Sequence, residues 1–594
     1  MAHSRFVLAA TCLALAACAQ QSTRPGGDAP AQAEPQPQPQ PQQPKVVIAK
    51  PAPREALLPN VELTDDIMFQ LLLAEVALQR DQPRVAVRAY LDLARETRDP
   101  RIAQRATEIA WNARLAPAAL EAATIWLQAE PESSRARQFM GALLVNQEKL
   151  EDAVPHLAQW LVADRSGVGH GFLQLSGLLA QHKDKAAVSK LVQALARPYP
   201  EVPEARLAVA QAAWNAGDAD LALAEARAAL ASKPDWEVAA LFQAQALQKR
   251  SNAEAIGYLA GYLKTHPDAR DVRLNYARLL VTAKNFTEAR TQFELLLASY
   301  PQNADVTMAV ALLAIQTNDY DSAEAQLKRA LELKYKDPDA VRLYLGQVSE
   351  ERKRYDQALA WYSAVARGEQ YINAQSRYAG VLAKQGRLPD ARQHLQQVSP
   401  QNNLQRVQLT QAEAQLLREA SAFQEAFDVL GRALEKLPNA PDLLYDHAMA
   451  AEKVNRIDVL ETNLRQLIKI RPDHAHAYNA LGYTLADRSQ RLAEARELIA
   501  TALTLSPHDP FILDSMGWVL FRLGQNEEAI TYLKRAFAQR PDPEIAAHLG
   551  EVLWAHGARD EARKIWNDAF KEHPKNEVLQ NTIKRFVPVS QPAQ

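Results

Sequence analysis

One interval recurs so regularly along this chain that it leaves little freedom in the fold. In residues 510–542, Gly517 is followed by Ala529 after 12 positions, Ala536 after 19 and Pro541 after 24. The same three intervals separate Gly550 from Ala562, Ala569 and Pro574, and they recur at Ala210, Ala222, Ala229 and Pro234 and at Ala414, Ala426, Ala433 and Pro438. Two antiparallel helices approach closely only where small residues face one another, so a small residue midway along the first helix and two on the second mark a close hairpin. Larger apolar residues such as Leu513, Met516, Leu520, Ile530 and Leu533 fill the rest of the seam at helical spacing. The proline ends the second helix, because it cannot extend the hydrogen-bond ladder and pushes its predecessor out of the α region. Each unit leaves an apolar face uncovered, so neighbouring units must stack.

Prolines at 131, 200, 234, 267, 301, 438, 472, 507, 541 and 574 carry this register along nearly the whole chain, with a period near 34. The spacing predicts about fifteen units over residues 63–576, clearest over 407–576. Units near 339–405 lack the closing proline or run short. Residues 577–586 read as an extra helix covering the last apolar face, and 587–594 as a tail. Glycine is only 20 of 594 residues and β-branched runs are short, which suits helices throughout.

At Leu481-Gly482, Met516-Gly517 and Leu549-Gly550, together with the alanines and prolines above, the pattern resembles the tetratricopeptide-repeat (TPR) family. The resemblance implies an all-α fold, a right-handed α-solenoid (superhelix) of helix-turn-helix units. Because the copies are divergent, family patterns are expected to register in only the last four or five units. The resemblance also implies a concave wall of first helices, whose inward positions here are Phe511, Asp514, Trp518 and Phe521, with Glu544, Glu551 and Trp554 beside them. Trp518 and Trp554 admit two placements, in that groove or as padding of the core between repeats. Trp126, Trp160 and Trp566 fall on second helices at packing positions. The Lys and Asn residues that clamp a peptide C-terminus in some TPR domains are replaced here by Asn479, Asp514 and Ala547, which argues against that mode.

Residues 1–17 read as a secretory signal: Arg5 precedes an apolar stretch, Phe6 to Ala17, shorter than the about 20 residues that span a bilayer. Leu15-Ala16-Ala17-Cys18 resembles the lipobox of bacterial lipoproteins. That family implies cleavage before Cys18 and acylation of it, and several acyl chains at about 0.8 kcal/mol per buried CH₂ make a durable membrane anchor. Ala19, where Asp would favour inner-membrane retention, points to the outer membrane, facing the periplasm. Residues 18–62 are rich in Pro, Gln, Ala and Gly, including the run from Pro35 to Pro41, and read as a disordered tether. At about 3.1 Å per residue it reaches about 130 Å. Both cysteines, Cys12 and Cys18, lie in the first twenty residues, so the body has no disulfide and no cysteine nucleophile.

Chemistry is hard to find. The chain has no G-x-x-x-x-G-K-S/T, H-E-x-x-H or G-x-S-x-G motif. Gly167 to Gly171 reads as a loop between repeats. His474 and His476, two apart on a helix, face different sides and lack a third ligand. Glu527-Glu528 reads as a solvated turn. The expectation is no catalytic residue, no metal and no cofactor. A net charge of −2 without a basic block excludes a phosphate-tracking nucleic-acid binder.

The whole-chain arrangement of lipobox, tether and repeats resembles outer-membrane TPR lipoproteins that serve as adaptors of a carboxyl-terminal processing protease. It implies that the chain recruits and activates a periplasmic protease and presents protein substrates to it, such as peptidoglycan hydrolases. An assembly or pilotin-type lipoprotein for a secretin is the alternative. The sequence does not give the oligomeric state.

Overall fold

The computed structural model describes residues 58–587, apart from 164–165 and 180–181. Cys18, the signal segment and most of the tether lie outside those residues. Among the described residues there are 31 helices and no strand, and the chain divides between Leu333 and Lys334 into two compact units.

The first unit holds α1 (Asp65–Gln79), α2 (Pro83–Thr97), α3 (Pro100–Asn112), α4 (Ala116–Ala129), α5 (Ser134–Asn146), α6 (Leu150–Ala163), α7 (Val168–Leu179), α8 (Lys185–Ala196), α9 (Pro203–Asn215), α10 (Ala219–Ser232), α11 (Glu237–Arg250), α12 (Asn252–Thr265), α13 (Arg270–Thr282), α14 (Phe286–Ser299), α15 (Ala304–Gln316) and α16 (Tyr320–Glu332). The second holds α17 (Pro338–Glu351), α18 (Tyr355–Ser363), α19 (Tyr371–Lys384), α20 (Leu388–Gln397), α21 (Asn403–Glu419), α22 (Phe423–Lys436), α23 (Pro441–Lys453), α24 (Ile457–Ile470), α25 (Ala475–Asp487), α26 (Leu492–Leu505), α27 (Pro510–Arg522), α28 (Asn526–Gln539), α29 (Pro543–Ala555), α30 (Arg559–Glu572) and α31 (Glu577–Phe586). Within each unit most odd and even helices pair as hairpins, and successive hairpins pack on one another. The fold is therefore an all-helical repeat solenoid, with α31 left over to pack on α29.

The helix ends follow local chemistry. Asp218, Asn285, Asp319 and Asp509 cap the helices they precede, each side chain accepting from a backbone N–H that has no partner inside the helix. Second helices such as α10, α12, α14 and α28 stop two residues before their proline. The intervening residue leaves the helical region, with φ from −127° at His573 to −145° at Arg540. The turn inside most hairpins needs one residue in the left-handed region. Gly217, Gly386, Gly524 and Gly557 fill it at no steric cost, whereas Lys284, Asn318, Lys353 and Ser421 fill it with a side chain. In the stretch without closing prolines, α18 has nine residues and α20 ten, against 14 in α22, so the second helices there are truncated.

The packing of the repeats extends one expectation. The small residue of the first helix faces not only the small residue of the second but also a large side chain. A Cβ at Gly517 would lie 2.5 Å from Leu533 Cγ and 3.1 Å from the carbonyl oxygen of Ala529, and one at Gly482 2.6 Å from Ile499. Gly550 takes the indole of Trp566 in the same way, and Gly346 the ring of Tyr362. The small residue is a notch, and the large one four positions after the alanine is the knob that enters it. Trp126, Trp160 and Trp566 are buried in the core, at the packing positions expected for them.

A correction concerns residues 167–171. Val168 to Gly171 form the first turn of α7, not a loop, and Gly171 N–H donates to the Gly167 carbonyl. A Cβ at Gly169 would lie 2.7 Å from a carboxylate oxygen of Glu204, so this glycine admits the side chain of α9.

Candidate functional site

Within the second unit, α25, α27 and α29 lie side by side as successive first helices. Their facing side chains converge closely. Tyr483 of α25 reaches His548 of α29, 65 residues away, with its hydroxyl 3.5 Å from Nε2. Between them, Asp514 of α27 accepts from His548 Nδ1–H at 2.9 Å. The Trp518 ring stacks on the imidazole at 4.4 Å between centroids and 25° between planes. Burial opposes the charge on His548, but the charge and hydrogen bond of Asp514, with Glu551 and Glu544 nearby, outweigh it and raise its pKa.

That convergence decides where the expected wall residues go. Trp518 is 5% exposed and Asp514 is also buried, so Trp518 takes the second of its two placements, as packing between repeats. Phe511 stays open at 42% exposure, with the Arg540 guanidinium 4.9 Å over its ring. Phe521 is half-buried against Trp518, at 5.5 Å. Glu544 stands in the first turn of α29, exposed. Glu551 pairs with Arg585 of α31; burial pushes its carboxyl up, against the opposing pull of Arg585 and His548. Trp554 is half-buried, stacked with Trp566 at 5.8 Å and close to Phe586, and the Arg559 and Arg563 guanidinium groups cover it.

The other candidates resolve into structural roles. His474 caps α25, its Nδ1 accepting from Ala477 N–H at 3.1 Å, and His476 stands 3.9 Å from Asp509. Glu527 and Glu528 are exposed in the first turn of α28, where carboxylates complement the helix dipole. Among the described residues no group of three or more His, Cys, Asp or Glu side chains is placed to hold a metal ion, and no helix is long and apolar enough to cross a membrane.

Two features escape a reading of the sequence. Arg206 and Arg273 reach back six residues to the carbonyl oxygens of Pro200 and Pro267, and Gln580 does the same to Pro574. A long donor six places after a closing proline is the available signal; it satisfies a carbonyl at the junction between repeats. The second feature is a cavity of about 340 Å³ in the first unit, bounded by α7, α8, α9 and α11. Trp214 forms its aromatic side, half-exposed, with Phe242 edge-on at 6.3 Å and the Lys249 ammonium 5.0 Å over the ring. Gln211, Asn215 and Gln245 bring amide groups to its rim. Gln211 and Trp214 stand one and four places after Ala210, as Trp518 and Phe521 do after Gly517. The same interval that marks the inward positions of the last units thus marks this earlier one.

Comparison with known proteins agrees with this architecture. Tetratricopeptide-repeat family models match residues 246–313 and residues 174–235, 309–372, 445–510 and 515–577, so the pattern registers well before the last few units, earlier than expected. The TPR repeat-containing protein PA4667 of Pseudomonas aeruginosa is 35% identical over 533 residues, covering 89% of each chain. Among solved structures, TTC0263, a thermophilic TPR protein of Thermus thermophilus, is 24% identical and covers 30% of this chain and 98% of its own, with a TM-score of 0.29. The Naa15/Naa10 complex bound to HypK-THB matches at 13% identity over 88% of this chain and 89% of that one, with a TM-score of 0.30. On the repeat models and the full-length relative, the chain belongs to the tetratricopeptide-repeat family.

Proposed function

We propose that this chain is a non-catalytic adaptor of the bacterial envelope, held to the outer membrane by lipid on Cys18, which brings a periplasmic protease together with its protein substrates. TPR scaffolds bind proteins, and that coarser role follows from family membership. The finer reading is a lipoprotein of the LbcA kind, recruiting and activating a carboxyl-terminal processing protease and delivering peptidoglycan hydrolases to it. Holding both on one chain raises their effective concentration, while the catalytic serine belongs to the partner.

The observation that carries the binding role is the Trp214 cavity. Half-exposed aromatic rings supply contact area at little entropic cost, and the amides of Gln211, Asn215 and Gln245 both donate to and accept from an extended peptide backbone. The test is affinity capture from envelope extract with residues 61–594 and with its Trp214→Ala form. A carboxyl-terminal processing protease should co-elute, should cleave a peptidoglycan hydrolase faster with the adaptor present, and should be recovered less well by Trp214→Ala. Recovery of a secretin without a protease would replace this reading with the assembly-lipoprotein one.

A further inference from the structure

The two ends of the repeat array are finished differently. At the C-terminal end, α31 covers the apolar face of α29 and turns Asn581, Lys584 and Arg585 outward. At the N-terminal end nothing equivalent covers α1 among the described residues. Nine of the 21 large apolar side chains exposed among them lie between Leu58 and Val85. On α1 they form a stripe: Met68, Phe69, Leu72, Leu73 and Val76 follow helical spacing, with Phe69 63% and Leu72 61% exposed. The opposite side of the same helix, Ile67, Ala74 and Ala77, is the buried one. The open face is shaped as a helix-packing face, where a preceding second helix would dock in the interior of the array.

The charges at its two ends identify what docks there. Glu62, Asp65 and Asp66 stand at the start of α1, and Arg80 and Arg84 stand just past its end; all five are exposed. Asp66 and Arg80 are 14 residues apart, about 21 Å along a helix. A second α1 laid antiparallel would set each acidic end against the other's basic end while the apolar stripes meet between them. A parallel arrangement would set like charges together. We propose that two copies of this chain associate through α1 about a two-fold axis near Leu72, with Asp65 and Asp66 of each copy facing Arg80 and Arg84 of the other. A face complementary to itself is what a closed dimer requires, and charge sets the alignment that burial alone leaves open. An anionic lipid surface fits the acidic end of the helix poorly. The proposal is independent of the identity of the client proteins.

The body has no cysteine, so a single added thiol reports on the contact. Leu72→Cys is introduced into the full chain and oxidised in the envelope of cells expressing it. Val238→Cys, 54% exposed on α11 of the same unit, is the comparison. Leu72→Cys should form a disulfide-linked species of twice the chain mass and Val238→Cys should not. In the Leu72→Cys background, D65R/D66R and R80E/R84E should each lower that yield by roughly tenfold. Co-expression of the two swapped chains should restore it, because the chain with two basic ends then meets the chain with two acidic ends. Equal yields at positions 72 and 238, swaps without effect, or failure of co-expression to restore the yield overturns the proposal. So does a Leu72→Cys thiol that is shielded from maleimide without self-linkage, which would assign the face to residues 1–57 or to a different protein.

Discussion

Replacing Asp514 with Asn would test whether the convergence of α25, α27 and α29 rests on a charged pair. The side chains of Asp514 and His548 are 9% and 12% exposed and 2.9 Å apart, so the substitution leaves an imidazolium buried under Trp518 without its contacting carboxylate. Removing one partner of a buried ion pair costs about 3–5 kcal/mol. The pH dependence follows from the raised pKa of His548. Its stabilising contribution is fully present below the unfolded value near 6.5 and is lost as pH rises through the higher folded value. The loss caused by Asp514→Asn should therefore be largest near pH 6 and should shrink as the pH rises through the folded value of His548. Urea unfolding of the C-terminal unit, followed by hydrogen exchange in α29, gives that difference at each pH. A loss under about 1 kcal/mol near pH 6, or one that does not shrink as the pH is raised, would refute the assignment of a charged pair.

The notch-and-knob packing predicts that Gly517→Val costs about 1–3 kcal/mol, because its Cβ meets Leu533 and a backbone oxygen that cannot move aside; calorimetry checks this. The hairpin turns predict opposite signs for opposite changes. Gly524→Ala should destabilise by about 1 kcal/mol and Lys284→Gly should stabilise by a few tenths, both positions having φ above 60°. Cys18→Ser should move the chain from the membrane pellet to the soluble fraction and abolish incorporation of labelled palmitate. If it stays in the pellet, the lipid anchor is wrong.

Local chemistry made much of the fold legible. Whether a residue before Pro301 or Pro507 leaves the helix depends on that dipeptide alone, and whether Asp319 caps a helix depends on the next three residues. The 34-residue interval is likewise a statement about adjacent units, so hairpins, their stacking and the family could be read without coordinates. Even the truncation of α18 and α20 was foreshadowed by the missing prolines.

What faces what across the array was not legible, because it depends on groups brought together from distant positions. Trp518 and Phe511 sit on the same helix, and the inward interval named both. One is buried and the other open because Tyr483 and His548 close over α27 at one end only, from 35 residues before Trp518 and 30 after it. Gly517 announced a close approach, but only the packed hairpin showed that a leucine fills the space. The sequence by itself determined the repeating unit, since helix starts, stops and seams are set by neighbours in the chain. The tertiary structure alone decided which positions of that unit meet solvent, since burial is settled by side chains one and two repeats away.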